Sequence, residues 1–134
     1  MRIAIVDDDP IVCQSLETIL TATGTADVLW SANDGGAAIR RYFESPENHL
    51  DILLIDIQMP GMNGLDAARE ILTKDPAARI LFLTTFSDQA YIEQAMRLGT
   101  KGYLIKQDVS SVIPAVQAVM AGQIVMGAEV LAKL

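Results

Sequence analysis

Five short runs of aliphatic and β-branched residues recur along this chain, and each is followed by a longer stretch whose apolar residues have helical spacing. The predicted strands are residues 2–6, 27–31, 52–55, 79–83 and 102–105. Connections long enough to contain a helix join parallel strands, whereas antiparallel neighbours need only a tight turn. We therefore predict a (βα)5 fold in which one parallel sheet carries helices on both faces.

The ends of the predicted helices carry residues that suit those positions chemically. Asp9 can accept backbone N–H bonds at the start of the first helix, and Pro10 fits its first turn. Either Asn33 or Asp34 begins the second helix. Residues 126–134 are short, partly apolar and weakly helical, and we interpret them as the beginning of a connector.

Composition narrows the possible classes of function. The chain has 134 residues, a formal net charge of −7 and a pI of about 4.5. Its ten lysine and arginine residues are scattered, which argues against direct nucleic-acid binding. Because there is one cysteine, Cys13, and one histidine, His49, neither an internal disulfide nor a zinc site can be built from this chain alone. No apolar stretch approaches the roughly 20 residues that span a bilayer, so we expect a cytoplasmic protein without a membrane partner.

Polar residues directly follow four of the predicted strands. Asp7 and Asp8 come after the first strand, Asp56 after the third, Thr84 after the fourth and Lys106 after the fifth. Open parallel sheets bind ligands beyond the carboxyl ends of their strands. A single aspartate at the end of a strand is usually structural, and adjacent aspartates usually form a turn or a helix cap. The combination of all five residues in register predicts a functional site.

The predicted site is acidic enough to require a cation. Two carboxylates about 4 Å apart repel each other by roughly 4 kcal/mol at an effective dielectric constant near 20. Carboxylate oxygens without imidazole or thiolate favour Mg²⁺, with Mn²⁺ as the alternative. A carboxylate beside such an ion can be phosphorylated, and Lys106 and Thr84 are positioned to contact other oxygens of the phosphoryl group. The residue types therefore suit the formation of an acyl phosphate.

Four segments resemble the receiver domains of two-component signalling proteins, and the resemblance covers nearly the whole chain. They are residues 3–10 (IAIVDDDP), 53–64 (LLIDIQMPGMNG), 81–85 (LFLTT) and 102–106 (GYLIK). The resemblance implies an α/β, flavodoxin-like (CheY-like) fold, doubly wound, with a parallel five-stranded sheet in the order 2-1-3-4-5. The end of the chain resembles the exit of the NarL/FixJ (LuxR-type) subgroup.

The resemblance assigns roles to the acidic residues. Asp56 matches the phosphoacceptor of the family. Asp8 matches a direct ligand of Mg²⁺, and Asp7 a ligand that acts largely through water. The backbone carbonyl of Gln58 matches a further metal ligand.

Three other residues match the family's switch. Thr84 and Lys106 match the hydroxyl and the lysine that contact the phosphoryl group, and Tyr103 matches an aromatic residue. The implied mechanism is that Thr84 moves toward the phosphoryl group and Tyr103 turns inward behind it. Phosphorylation would thereby bias a two-state surface formed by the fourth helix, fifth strand and fifth helix.

The resemblance also implies partners for the chain. They are a sensor histidine kinase, a second copy of the chain on activation, and an output domain. We assign residues 1–122 to the receiver domain and residues 123–134 to the start of a linker toward a helix-turn-helix domain that is absent from this chain. DNA would be bound only through that domain, in transcription regulation. The receiver is expected not to be an enzyme beyond its own phosphorylation and dephosphorylation.

Two features of the sequence need comparison with the usual pattern of the family. Many receivers carry a proline in a cis bond after the lysine, but here Gln107 follows Lys106. A cis bond without proline costs roughly 2.5–4 kcal/mol, so the sequence leaves the conformation of that bond open. Gln58 and Phe86 occupy positions whose side chains, in this family, flank the path of the hydrolytic water. We predict that the bulky Phe86 slows loss of the phosphoryl group.

Other classes of function fit the sequence less well. A haloacid-dehalogenase-type phosphatase needs a second aspartate two residues after its nucleophile, where Gln58 stands. A flavodoxin-like flavin protein needs a loop rich in hydroxyl groups and glycine after the first strand, whereas residues 7–9 are aspartates that would repel phosphate. The alternative left open is a receiver-like dimerisation or interaction module that acts without phosphorylation, because an intact acidic pocket does not prove that the pocket is used.

Overall fold

The computed structural model describes residues 1–44, 49–106 and 109–134. The strands in these ranges are β1 (Arg2–Val6), β2 (Asp27–Ala32), β3 (Ile52–Ile55), β4 (Ile80–Thr84), β5 (Gly102–Ile105) and β6 (Val125–Met126). The helices are α1 (Pro10–Ala22), α2 (Gly35–Phe43), α3 (Gly64–Lys74), α4 (Gln89–Arg97), α5 (Val112–Met120) and α6 (Ala128–Leu131). None of these helices is long and apolar enough to cross a membrane.

The strands form one parallel sheet in the order β2-β1-β3-β4-β5-β6. The predicted parallel α/β fold and the order of its first five strands are confirmed. The chain moves outward from β1 to β2 and then returns to place β3 on the other side of β1. The strand order therefore reverses between β1 and β3, and ligand sites of open parallel sheets form outside the carboxyl ends at such a point.

Side chains of the central strands are buried on both faces of the sheet. Ala4 and Val6 of β1 belong to the cluster under α2, α3 and α4, whereas Ile3 and Ile5 belong to the cluster under α1 and α5. All four residues of β3 are buried in the same alternating way. This double burial explains why β3 is a continuous apolar run. The parallel pairing of β1 with β3 places their carboxyl ends side by side.

Side-chain caps fix the starts of the first two helices. The Asp9 carboxylate accepts a hydrogen bond from the Ile11 N–H at 2.9 Å, as predicted, and Pro10 occupies the first turn of α1. At α2 the cap is Asp34, whose carboxylate accepts from the Ala37 N–H at 2.7 Å. Asn33, the other candidate for this cap, is left free for a different contact.

The sheet has a sixth strand, which corrects the prediction of five. β6 lies within the stretch interpreted from sequence as the start of a linker, and it pairs in parallel with the beginning of β5. The close approach depends on Gly102, because a β-carbon at that residue would lie 2.7 Å from the carbonyl oxygen of Val125 and 2.4 Å from a methyl carbon of Leu81. A two-residue strand is too short to give a periodic signal in the sequence.

Candidate functional site

Three carboxylates meet at the carboxyl ends of β1 and β3. One oxygen atom from each of Asp7, Asp8 and Asp56 can be chosen so that all three lie within 4.8 Å of one another. Asp7 and Asp56 are only 2% and 6% exposed, whereas Asp8 is exposed. The cluster therefore has one open side, and Asp8 lines a cleft there together with Gln58, Met59 and Pro60. The structure thus brings together the three acidic residues singled out in the sequence.

Asp7 is held in place by both its backbone and its side chain. Its N–H donates to the carbonyl of Ala32 at 3.1 Å, and its Oδ1 accepts from the Asp9 N–H at 2.9 Å. Its carbonyl oxygen accepts a hydrogen bond of 2.8 Å from the Asn33 amide. From sequence, Asn33 is a candidate only for a helix cap, so this contact was not predicted. No local signal could have revealed it, because it depends on the pairing of β1 with β2.

Asp56 lies at the end of β3 in an equally constrained position. Its N–H donates to the Val6 carbonyl at 2.9 Å, which continues the pairing of β1 with β3. Its Oδ1 accepts from the Ile57 N–H at 2.7 Å. The loop that follows closes through a bond of 2.6 Å from the Gly64 N–H to the Ile57 carbonyl. One carboxylate oxygen of Asp56 is thus bound to backbone, and the other faces the cluster.

Lys106 supplies a positively charged side chain to the site. Its Nζ lies 3.0 Å from Oδ2 of Asp56 and also contacts Oδ2 of Asp7. Three carboxylates and one ammonium leave a formal charge of −2 (−3 + 1) when all four groups are ionised. A pocket of oxygen ligands with this charge matches a divalent cation, which is the class of ion predicted from sequence.

Burial and pairing act in opposite directions on the protonation of these groups. Burial raises the pKa of the Asp7 carboxyl, and the hydrogen bonds from Lys106 and the Asp9 N–H offset only part of this effect. Burial by itself lowers the pKa of Lys106, but the hydrogen bonds to Asp7 and Asp56 outweigh it, so the pKa of Lys106 is raised. The ammonium consequently stays charged at neutral pH and can neutralise an incoming anion.

Thr84 at the end of β4 and Tyr103 in β5 are both fully buried. The Thr84 hydroxyl oxygen accepts a hydrogen bond of 3.2 Å from the Phe86 N–H. The Tyr103 hydroxyl donates to the Phe86 carbonyl, and burial raises the pKa of Tyr103 well above its usual value. The structure therefore joins the two predicted switch residues through the backbone of Phe86. The sequence did not predict the conformation of the bond between Lys106 and Gln107, and Gln107 lies outside the described residues.

Comparison with known proteins identifies the family to which this chain is similar. Residues 3–117 match the family model described as the response regulator receiver domain. The transcriptional regulatory protein LnrK of Bacillus subtilis is 34% identical over 135 aligned residues, which cover 100% of this chain and 60% of LnrK. The chain thus spans about 60% of the length of this curated relative.

Solved structures show the same likeness. A LuxR-family two-component response regulator from Aurantimonas has a TM-score of 0.90 at 33% identity, covering 98% of this chain and 93% of that one. The CheX–CheY–BeF3–Mg complex from Borrelia burgdorferi matches with a TM-score of 0.82 at 28% identity, covering 89% of this chain and 88% of that one. The chain belongs to the family of response-regulator receiver domains, and its relatives include a regulator of the LuxR family.

Proposed function

We propose that the chain is a phosphorylation-dependent receiver that accepts a phosphoryl group on Asp56 from a sensor histidine kinase. The observation that carries this proposal is the pairing of the buried Asp56 carboxylate with Lys106 at 3.0 Å, beside Asp7 and Asp8. The buried Asp56 carboxylate has one ammonium partner and two further acidic groups beside it, so negative charge at the site exceeds positive charge. A structural ion pair does not need this excess, whereas a residue that is phosphorylated beside a divalent cation does.

The proposed transfer balances without a further reactant. A carboxylate oxygen of Asp56 forms the new O–P bond while the N–P bond of the donor phosphohistidine breaks, and the bonding pair returns to the imidazole nitrogen. Lys106 remains charged and neutralises an oxygen of the phosphoryl group. The Thr84 hydroxyl accepts from the Phe86 N–H, so its own proton is free to be donated to a second phosphoryl oxygen.

A divalent cation fits the site, with Mg²⁺ favoured and Mn²⁺ as the alternative. The residues that would hold it are Asp7, Asp8 and Asp56, together with the backbone carbonyl of Gln58. The fit rests on hard oxygen donors, a formal charge of −2 and an open side toward Asp8. When bound, such a cation neutralises negative charge on the transferred group. One related structure, the CheX–CheY complex, contains both Mg²⁺ and BeF3.

We propose that phosphorylation switches the surface that controls dimerisation and an output domain. LnrK, which extends beyond the region matched here, is described as a transcriptional regulatory protein. By analogy, residues 1–122 form the receiver and residues 123–134 begin the linker, whose first part packs on the receiver as β6 and α6. DNA is bound through a C-terminal helix-turn-helix domain, in the cytoplasm. The active form is a homodimer.

The test is the intact mass of the protein after incubation with a small phosphodonor and Mg²⁺. We expect one phosphoryl group on the parent, no gain for Asp56→Ala, and no gain in the presence of a chelator. Asp88→Ala is the matched control, because Asp88 is an exposed aspartate after β4 whose side chain makes no capping hydrogen bond. Failure of the parent to gain mass would favour an interaction module that acts without phosphorylation.

A further inference from the structure

The edge of β5 is covered by the C-terminal segment, which we define as Val125–Leu131. The Val125 N–H donates to the carbonyl of Lys101 at 2.9 Å, and the Gly127 N–H donates to the carbonyl of Tyr103 at 3.1 Å. In register, Met126 of β6 lies opposite Tyr103 of β5. Without this segment, β5 would be the last strand of the sheet and Tyr103 would lie at an open edge.

The C-terminal segment also encloses the Tyr103 side chain laterally. Residues that are paired across neighbouring strands point to the same face, so Tyr103 lies between Phe82 of β4 and Met126 of β6. The rings of Phe82 and Tyr103 have centroids 6.0 Å apart, and Met126 packs against the same cluster. Val130 of α6 is fully buried in that cluster. The burial of Tyr103 therefore depends on residues beyond α5.

A chain of hydrogen bonds connects this segment to Thr84. The Phe86 N–H donates to the Thr84 hydroxyl, the Tyr103 hydroxyl donates to the Phe86 carbonyl, and the Gly127 N–H donates to the Tyr103 carbonyl. Each residue in this series contacts the next, and all of them lie on β4, β5, β6 or the loops that follow them. The series ends at Thr84, whose carbonyl accepts a hydrogen bond of 2.9 Å from the Lys106 N–H. The side chain of Lys106 pairs in turn with Asp56.

We propose that docking of the C-terminal segment on β5 is coupled to phosphorylation of Asp56. The docked segment keeps Tyr103 buried, and the buried Tyr103 hydroxyl holds the Phe86 backbone in place. In this position the Phe86 N–H donates to the Thr84 hydroxyl oxygen, and the Thr84 proton can be donated to the phosphoryl group. This inference rests on the proposed function for its phosphorylation step. Because coupling is reciprocal, phosphorylation must tighten docking by the same factor by which docking favours the phosphorylated state.

The coupling is tested with Val130→Ala and a matched control, Leu131→Ala. Val130 is buried, whereas the neighbouring Leu131 on the same short helix is 57% exposed. The first readout is hydrogen exchange of the Gly127 amide by NMR, and the second is affinity for beryllofluoride in the presence of Mg²⁺. We expect Val130→Ala to speed exchange and weaken beryllofluoride binding by roughly fivefold or more, the lower end of typical coupling factors. Leu131→Ala should match the parent in both.

Two results would overturn the coupling. One is faster exchange in Val130→Ala with beryllofluoride affinity equal to that of Leu131→Ala. The other is a Gly127 amide in the parent whose exchange is unchanged by saturating beryllofluoride. Unchanged exchange in Val130→Ala would overturn the anchoring role of Val130 itself.

A further measurement separates this inference from the proposed function. Tyr103→Phe keeps the ring but removes the hydroxyl that donates to the Phe86 carbonyl, and no phosphodonor is needed to study it. We expect faster exchange of the Gly127 amide in Tyr103→Phe than in the parent. Such a result, with a parent that binds neither phosphoryl group nor beryllofluoride, would uphold the link between Tyr103 and the segment while rejecting the proposed function. Unchanged exchange would reject the link regardless of phosphorylation.

Discussion

Gly64 lies directly against the backbone of Asp56: a β-carbon on Gly64 would come within 1.9 Å of the Asp56 carbonyl oxygen and 2.8 Å of its carbonyl carbon. The start of α3 is therefore packed onto the end of β3 with no space for a side chain. This contact ties the position of the proposed phosphoacceptor to the helix that follows it.

Gly64→Ala should consequently destabilise the protein, by about 1–3 kcal/mol, because β3 or α3 must move to admit the methyl group. The matched control is Gly36→Ala near the start of α2, where a β-carbon meets its nearest atoms at 3.4 and 3.5 Å, which is ordinary contact. That change should be neutral or stabilising by up to about 1 kcal/mol. Urea denaturation measures both free energies of unfolding, and equal values for the two variants would contradict the close packing.

Lys106→Ala should destabilise the protein when divalent cations are chelated, by roughly 3 kcal/mol, because two buried carboxylates lose their cation. Lys74→Ala is the control, since Lys74 pairs with Glu70 on an exposed helix surface at 3.6 Å. Its removal should cost less than about 0.5 kcal/mol. If the site binds Mg²⁺, saturating Mg²⁺ should reduce the difference in melting temperature between Lys106→Ala and the parent. A difference that Mg²⁺ leaves unaltered would argue against a cation among these carboxylates.

Phe86→Ala should lose its phosphoryl group faster than the parent. Phe86 is half-buried, and its ring packs edge-on against Tyr91 with centroids 5.8 Å apart, so removing the ring opens the loop after β4 to water. The backbone of residue 86 can still bond to Thr84 and Tyr103 in the variant. The decay of the phosphorylated mass over time measures the rate, with Phe86→Leu as a bulky control that should resemble the parent. Equal rates for Phe86→Ala and the parent would reject the idea.

Tyr42→Phe should destabilise the protein by about 1 kcal/mol at neutral pH, because the Tyr42 hydroxyl donates to Oδ2 of Asp75 at 2.7 Å and so links α2 to the end of α3. Burial, together with the bond to Asp75, raises the pKa of Tyr42 in the folded state. A raised pKa means that this stabilisation is complete below the unfolded pKa of about 10 and declines as the pH rises above it.

The difference in unfolding free energy between the parent and Tyr42→Phe should therefore shrink above a pH of about 10. Tyr91→Phe serves as the comparison, since no hydrogen bond of its hydroxyl is found within the described residues. A difference between the parent and Tyr42→Phe that grows with pH would contradict the assigned direction of the pKa shift.

The parallel α/β fold and the members of the acidic cluster could be predicted from the sequence alone. Strand and helix periodicity is local, so apolar runs such as Ile52–Ile55 identify buried strands without knowledge of their neighbours. Asp7, Asp56 and Thr84 each stand at or just after the end of such a run. Because all the strands are parallel, these ends must meet at one edge of the sheet.

The contacts that hold these residues, and the sixth strand, could not be predicted without the three-dimensional fold. Asn33 contacts the Asp7 carbonyl across 26 positions of sequence, and Lys106 contacts Asp56 across 50. The sixth strand exists because Gly102 lets Val125 approach β5. Such contacts depend on the distance between chain segments that are remote in sequence. Local propensity and periodicity carry no information about that distance, which is set when the two faces of the sheet are packed.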